Sequence, residues 1–387
     1  MKTVAVLGGG PAGSFAAERL AQAGVNTILI DEKHAWEKPC GGGLTEKAYK
    51  TYPFLLHNDT PKKLITETYM SAHGAGTVKV SLSQPLVIYS RLDLNRMLLE
   101  RAERAGARIE KTRVLEAGRS GNTWTIRTRD GSLQADYCVV ATGARNPLRN
   151  VGTELTRADT MVALGYYVAA DQPHVDIQFL PGLEGYIWVF PRCGHLSVGI
   201  GGKGTATQEL RARLERYMEE RSIPYRDAPF FAHLIPSLEA GAWTRNRVAG
   251  DGWLAVGDAA GLVDPITGEG LCYAMRSGDL ASQVILDEHV APSQKAQTYG
   301  AMLRRDFAAD LEYAATLARR VYLGHFLRDA VPSRMVQFAR HSRRFSDLVG
   351  ALMHGNQSYL TLKRRLYFSL FPTLLEMGWN VLLRGAA

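Results

Sequence analysis

The sequence predicts an α/β fold in which a Rossmann-like nucleotide-binding domain is interleaved with an antiparallel-β domain and followed by a C-terminal helical segment. Three observations carry this prediction. The chain opens with strand, glycine-rich turn, helix and strand in immediate succession. Residues 161–200 are β-patterned, with long aromatic-rich runs, whereas short apolar runs ending on glycine lie on either side of them. From about Ser293 the pattern is helical.

The opening unit is the most specific. Thr3–Leu7 is an apolar run of strand length that leads into Gly8-Gly-Gly10-Pro11-Ala12-Gly13, then a helical pattern from Ser14 to Ala23, then a second apolar run, Val25–Ile30, ending on Asp31 and Glu32. This is the order a dinucleotide site requires. Gly8 permits the tight turn, Gly10 admits a pyrophosphate to the backbone, and Gly13 lets the helix approach the strand. The helix N-terminus turns unpaired N–H groups toward the phosphates. Asp31 is placed to accept from ribose hydroxyls. Gly8, Gly10, Pro11, Ala12, Gly13, Asp31 and Glu32 are therefore candidate cofactor residues.

The remaining elements follow in order. Residues 51–90 form an excursion that ends in the β-rich Val78–Ser90. Leu92–Ala105 is an amphipathic helix, and Val114–Arg129 is an alternating hairpin with turns at Ser120-Gly and Asp130-Gly. Ala135–Gly143 is a buried strand ending in Ala-Thr-Gly. Thr207–Arg221 is a helix with one apolar stripe. At Gly252–Gly261 a short strand ends on Gly257-Asp258, and a helix starts near Gly270. The expected domains are 1–50, 91–155 and 246–300 for nucleotide binding, 51–90 and 156–245 for the β-rich substrate domain, and 301–387 for the helical region. Gly199-Ile-Gly201-Gly-Lys-Gly204 also matches G-x-G-x-x-G, but the helix after it leads to Ile223-Pro-Tyr with no strand and no acid, so no second dinucleotide fold is expected.

The Ala-Thr-Gly and Gly-Asp segments, in this order behind the first motif, resemble the two-part FAD site of glutathione-reductase-like flavoproteins, in their aromatic-hydroxylase branch. Three further segments narrow the resemblance: Pro39-Cys40-Gly41-Gly42-Gly43, Gly185-Tyr186-Ile-Trp188-Val-Phe190-Pro191, and Leu196–Gly201. Together they resemble the geranylgeranyl reductase family of FAD-dependent oxidoreductases, from Thr3 to about Arg365. That family reduces isolated C=C bonds in prenyl chains of lipids, quinones or pigments. The resemblance implies FAD contacts from Cys40, Gly41, Gly42, Arg91, Val114, Ala141, Thr142, Gly143, Gly257, Asp258, Pro265, Gly268, Gly270 and Leu271. It leaves the reductant open between NAD(P)H and another donor.

Reduction of an unactivated alkene needs a hydride on one carbon and a proton on the other, in a site that aligns the chain and excludes water. Cys40 is the candidate acid or its relay, a role the resemblance implies by placing it beside the flavin. Tyr186, Trp188 and Phe190 alternate along one strand and share a face. With Pro191 they are candidates for an apolar substrate wall, and Tyr186 and Trp188 are also candidates for the catalytic set. Ordinary sheet packing accounts equally well for that stripe. Two other functions stay open: an FAD-dependent monooxygenase or halogenase acting on an aromatic molecule, and an electron-transfer flavoprotein with no small-molecule substrate of its own.

Composition is consistent with a globular protein: 387 residues, 46% hydrophobic. No run of 18 uncharged apolar residues is present. Met1-Lys2 leads directly into the first strand, so no cleaved leader is expected. The four cysteines (Cys40, Cys138, Cys193, Cys272) are far apart with no C-x-x-C, which argues against zinc or iron–sulfur. Cys138 and Cys272 read as core. Reduced thiols and a cytoplasmic location are expected. Residues 301–387 hold thirteen Lys/Arg against six Asp/Glu, most of the net +8. The basic, apolar stretch 363–383 reads either as a helix on the protein or as a segment touching an anionic membrane surface. Nucleic acid is not an expected partner, and a monomer or weak oligomer is.

Overall fold

The computed structural model describes residues 2–366, which form two compact units. The first comprises the chain up to Lys38, Arg91–Thr160 and Leu234–Glu312; the second comprises Pro39–Ser90, Met161–His233 and the chain from Tyr313 onward.

The first unit is built on a six-stranded sheet in the order Ala249–Gly250, Trp253–Ala255, Tyr137–Val140, Thr3–Leu7, Asn26–Ile30, Arg108–Glu110. All neighbours except the first pair run parallel. Val4–Leu7 are fully buried, which explains why the central strand is apolar at every position and not at alternate ones. Helix Pro11–Gln22 packs against helix Leu271–Leu286 so closely that a Cβ on Gly278 would lie 2.5 Å from the Ala12 carbonyl oxygen. Ser282 Oγ donates to the Ala16 carbonyl at 3.2 Å across the same contact. The expected hairpin is a three-stranded meander, Val114–Ser120, Thr123–Thr128 and Gly131–Ala135, because the Asp130-Gly turn returns the chain once more along the sheet. Its Trp124 and Ile126 join the core of the unit, as does Cys138, whose thiol burial pushes up in pKa.

The second unit contains an eight-stranded sheet: Phe230–Pro236, Thr160–Val168, His195–Lys203, Glu184–Arg192, Val175–Phe179, Lys62–Ala72, Gly76–Tyr89, Gly43–Leu44. Its pairs are antiparallel wherever the register is defined, except that Val175–Phe179 runs parallel to Lys62–Ala72. Helix Thr207–Glu220 lays Leu210, Leu214, Tyr217 and Met218 over Ile187, Val189, Val198 and Ile200. The second glycine-rich match lies inside strand His195–Lys203: a Cβ on Gly199 would sit 2.2 Å from the Trp188 ring, so that glycine makes room for an indole and not for a phosphate.

Several domain limits differ from the sequence expectation; residues 156–160 and 234–245, expected in the β-rich domain, belong with the first unit. Residues 39–50 belong with the β-rich unit, because Gly43 and Leu44 pair with Ile88 and Val87. Residues 301–312 belong with the first unit, where Leu303, Phe307 and Leu311 are buried in its core. The helices Val331–His341 and Arg343–Met353 are not a separate region. They pack on the hairpin of residues 62–89, with Ser333 Oγ donating to the His73 carbonyl at 2.9 Å. Residues 367–383 of the basic, apolar stretch lie outside the described residues. Among the described residues no helix is long and apolar enough to cross a membrane.

Candidate functional site

In the first unit the predicted loops gather at the carboxyl ends of the parallel strands, where α/β sheets bind nucleotides. Gly8 follows Leu7, Asp31 follows Ile30, Ala141 follows Val140, and Gly257 lies just past Ala255. Gly8 adopts φ +119°, and a Cβ there would stand 2.3 Å from the Ala141 carbonyl oxygen. A Cβ on Gly13 would stand 1.9 Å from the Gly8 carbonyl oxygen. Both are therefore obligatory for the fold of the loop. Gly10 differs: no protein atom lies within 4 Å of where its Cβ would be. Gly10 is also the N-cap of helix Pro11–Gln22 and provides no side-chain cap. The loop thus presents open space at a helix N-terminus, where first-turn N–H groups lack intrahelical acceptors, a cradle that fits a pyrophosphate.

The acidic positions take different partners. Asp31 accepts from the backbone N–H of Gly9 at 2.6 Å and of Lys33 at 2.7 Å. A carboxylate has about four acceptor sites, so capacity remains for ribose hydroxyls. Glu32 is exposed and lies 3.6 Å from Arg129. Asp258 forms an ion pair with Lys38 at 2.9 Å. The sequence reading missed Lys38, because nothing local links it to a carboxylate 220 positions away.

Arg91 opens helix Arg91–Arg104, and Glu37 caps that helix by accepting from the N–H groups of Arg91 and Leu92 at 2.8 and 3.3 Å. The Arg91 side chain is 3% exposed; its Nη2 donates to Asn95 Oδ1 at 3.4 Å and its Nε has no partner. A buried cationic donor left without a partner is costly unless an anion meets it. Thr142 donates its hydroxyl to Asn146 Oδ1 at 2.8 Å, and Gly143 takes φ +81° with open space beside it. Gly257 has φ +57° and its N–H donates to Ser277 Oγ at 2.9 Å. The Asp264–Gly270 turn closes on itself: Asp264 Oδ1 accepts from Ile266 and Thr267, and the Asp264 N–H donates to the Glu269 carbonyl, which holds Pro265, Gly268 and Gly270 ahead of Leu271. Val114 begins the meander and is half-buried against the core.

The second unit holds the other motifs, and it ties them to each other. Arg192 is fully buried; it donates from Nε to the Gly41 carbonyl at 3.3 Å and from Nη2 to the Cys40 carbonyl. Ser197 Oγ also donates to the Cys40 carbonyl, at 2.9 Å, and itself accepts from Trp188 Nε1 at 3.3 Å. The Cys40 thiol is half-buried and accepts from the Gly42 N–H at 3.3 Å.

The three glycines after Cys40 have reasons within this unit. A Cβ on Gly41 would sit 3.2 Å, and one on Gly43 2.9 Å, from the Phe190 ring. Gly42, at φ +84°, would place a Cβ 2.2 Å from the Tyr89 carbonyl oxygen. Phe190 is thus a platform for the glycine turn. Tyr186 meets Trp188 with ring centroids 6.4 Å apart and Phe179 at 6.4 Å, which makes an aromatic row with Trp188 buried and Tyr186 half-buried. Pro191 is buried between Phe190 and Arg192. Neither Arg192 nor Ser197 was singled out from the sequence; the signal available was their place immediately after and opposite the aromatic run.

Residues 1–177 match the model of an FAD-binding domain family. A menaquinone reductase of Mycobacterium tuberculosis is 30% identical over 332 residues, covering 77% of this chain and 80% of that protein. A digeranylgeranylglycerophospholipid reductase of Methanothrix thermoacetophila is 29% identical over 311 residues, covering 73% of this chain and 77% of that protein. The crystal structure of a geranylgeranyl bacteriochlorophyll reductase-like protein from Thermoplasma acidophilum superposes with a TM-score of 0.77 at 23% identity, covering 95% of this chain and 99% of that one.

Proposed function

Because this chain belongs to the geranylgeranyl reductase family of FAD-dependent oxidoreductases, we propose that it reduces C=C bonds in the prenyl chain of a lipid, quinone or pigment. The observation that carries this reading is the clamp on Cys40: a fully buried guanidinium and a serine hydroxyl both engage its carbonyl oxygen, while its thiol stays half-buried and hydrogen-bonded. A turn held this firmly serves a side chain that must be positioned.

FAD, when bound, supplies the hydride. Gly8, Gly10 and Gly13 would hold its pyrophosphate, Asp31 would accept from ribose hydroxyls, Asp258 would accept from polyol hydroxyls, and Arg91 would offer its spare donor to an anionic group. Cys40 holds a proton at Sγ for the alkene carbon that does not receive hydride. Tyr186, Trp188 and Phe190 give an apolar, rigid surface for an isoprenoid chain that offers no polar handle. A pyridine nucleotide or a separate protein donor reduces the cofactor.

Anaerobic single-turnover re-oxidation tests this. Reduced protein mixed with a geranylgeranyl-bearing lipid or quinone should return to the oxidised spectrum and yield a product heavier by two hydrogens. Re-oxidation by O2 alone, with an oxygenated aromatic product, would overturn the reading in favour of a monooxygenase.

A further inference from the structure

We propose that the hairpin at residues 325–330 is a docking tip for anionic membrane surface. Strands His325–Phe326 and Asp329–Ala330 are joined by Leu327 and Arg328, both in the left-handed region at φ +50° and +66°. Two-residue hairpin turns of this kind favour Asn, Asp or Gly. Here a leucine occupies the first position and is 55% exposed, beside Phe326 at 42%. A large apolar side chain is thus held outward at a position that disfavours it.

Two features match the bilayer interface. First, two carbonyls of the tip are satisfied from within the protein: Arg334 donates from Nε to the Phe326 carbonyl at 3.3 Å and from Nη2 to the Leu327 carbonyl at 2.6 Å. Satisfied carbonyls are the condition for moving backbone toward hydrocarbon. The base of the tip is fixed by an edge contact of Phe326 on Phe338, centroids 6.2 Å apart. Second, the charge around it is one-sided. Residues 319–344 contain seven arginines and a single acid, Asp329. Arg319 and Arg320, near the end of the helix leading into the hairpin, are exposed, as is Arg328 at the tip. An apolar wedge rimmed by arginine complements lipid phosphate. Two side chains are too few for a stable protein–protein interface, which buries about 800 Å² per partner.

The test reads vesicle binding and not turnover, so its result is independent of the reduction proposed above. The full chain with FAD bound is sedimented with mixed phosphatidylcholine–phosphatidylglycerol vesicles and with pure phosphatidylcholine vesicles. Wild type should favour the mixed vesicles, and added salt should weaken the binding. Leu327→Asn with Phe326→Ser should lower partitioning roughly tenfold, and Arg319→Gln with Arg320→Gln and Arg328→Gln by at least as much. Leu327→Asn alone is the control for folding, because asparagine suits the left-handed turn; it should keep FAD and melting temperature and still bind less. Equal binding by the hairpin variants and wild type would overturn the proposal. So would an absence of preference for phosphatidylglycerol, a loss confined to Lys363→Gln/Arg364→Gln/Arg365→Gln, or a hairpin effect seen only on oligomeric state.

Discussion

Arg192 donates from its guanidinium to the carbonyl oxygen of Cys40, 152 positions away in sequence. The aromatic strand and the glycine turn are therefore one structural device. The strand provides Phe190 as the surface on which Gly41 and Gly43 rest, and it ends in the arginine that fixes the peptide behind the thiol. Ser197, on the neighbouring strand, adds a second donor to the same carbonyl and links it to Trp188.

Replacement of Arg192 should therefore be felt both in stability and at Cys40. Arg192→Leu leaves two carbonyls without these donors in a buried place, and the cost should be about 2–4 kcal/mol. Arg192→Lys should recover part of it, since an ammonium reaches fewer acceptors than the planar fork. Urea denaturation measures the stability, and the rate at which a thiol reagent modifies Cys40 reports the loosened turn. An unchanged modification rate in Arg192→Leu would show that the clamp does not position the thiol.

Gly10→Ala separates cofactor binding from folding. No protein atom would meet the added methyl, so stability without FAD should change by less than about 0.5 kcal/mol. FAD affinity should drop, because the methyl occupies the space meant for pyrophosphate. Fluorescence titration of the apoprotein with FAD checks this; wild-type affinity in Gly10→Ala would remove the phosphate assignment. Gly13→Ala should fail in both assays, given the 1.9 Å clash with the Gly8 carbonyl.

Cys40→Ser and Cys40→Ala should both retain FAD and its reduction, yet re-oxidise more slowly with a prenyl alkene. Removal of a general acid typically costs ~10²–10⁴-fold, and serine, which keeps a donor, should lose less than alanine. Equal single-turnover rates in wild type and both variants would reduce Cys40 to a packing residue and leave Tyr186 or a water as the proton source.

The helix carrying Glu46 meets the loop at His354, and this contact should make stability depend on pH. Burial lowers the His354 pKa from its usual 6.5. The hydrogen bond from Lys50, at 2.6 Å, is the leading cause that lowers Glu46 from 4.5. Both groups bind protons more weakly folded than unfolded, so the stability they contribute is complete above the unfolded values and lost as pH falls through the folded ones. The His354 contribution begins to fall below about pH 6.5 and that of Glu46 below about pH 4.5. Melting temperature should decline between neutral pH and about pH 5, and His354→Gln should flatten that decline. An identical slope in the variant would show that His354 does not contribute.

The sequence by itself determined the nucleotide unit and its loop. Strand, glycines, helix and acid lie within the first 31 residues, and their spacing is a local property of the backbone. The strand-end segments Ala141–Gly143 and Gly257–Asp258 were legible for the same reason: small residues after an apolar run mark a chain that turns at the end of a buried strand. Tertiary structure alone decided what depends on pairs distant in sequence. It joined Lys38 to Asp258, set Arg192 behind Cys40, left the Arg91 Nε without a partner, and moved residues 39–50 to the β-rich unit through the pairing of Gly43 with Ile88. It also supplied a packing reason for the glycines after Cys40, since they accommodate Phe190 and the Tyr89 carbonyl. A glycine in sequence announces only that a side chain has no room; which neighbour takes the room is settled by packing between segments that the chain brings together late.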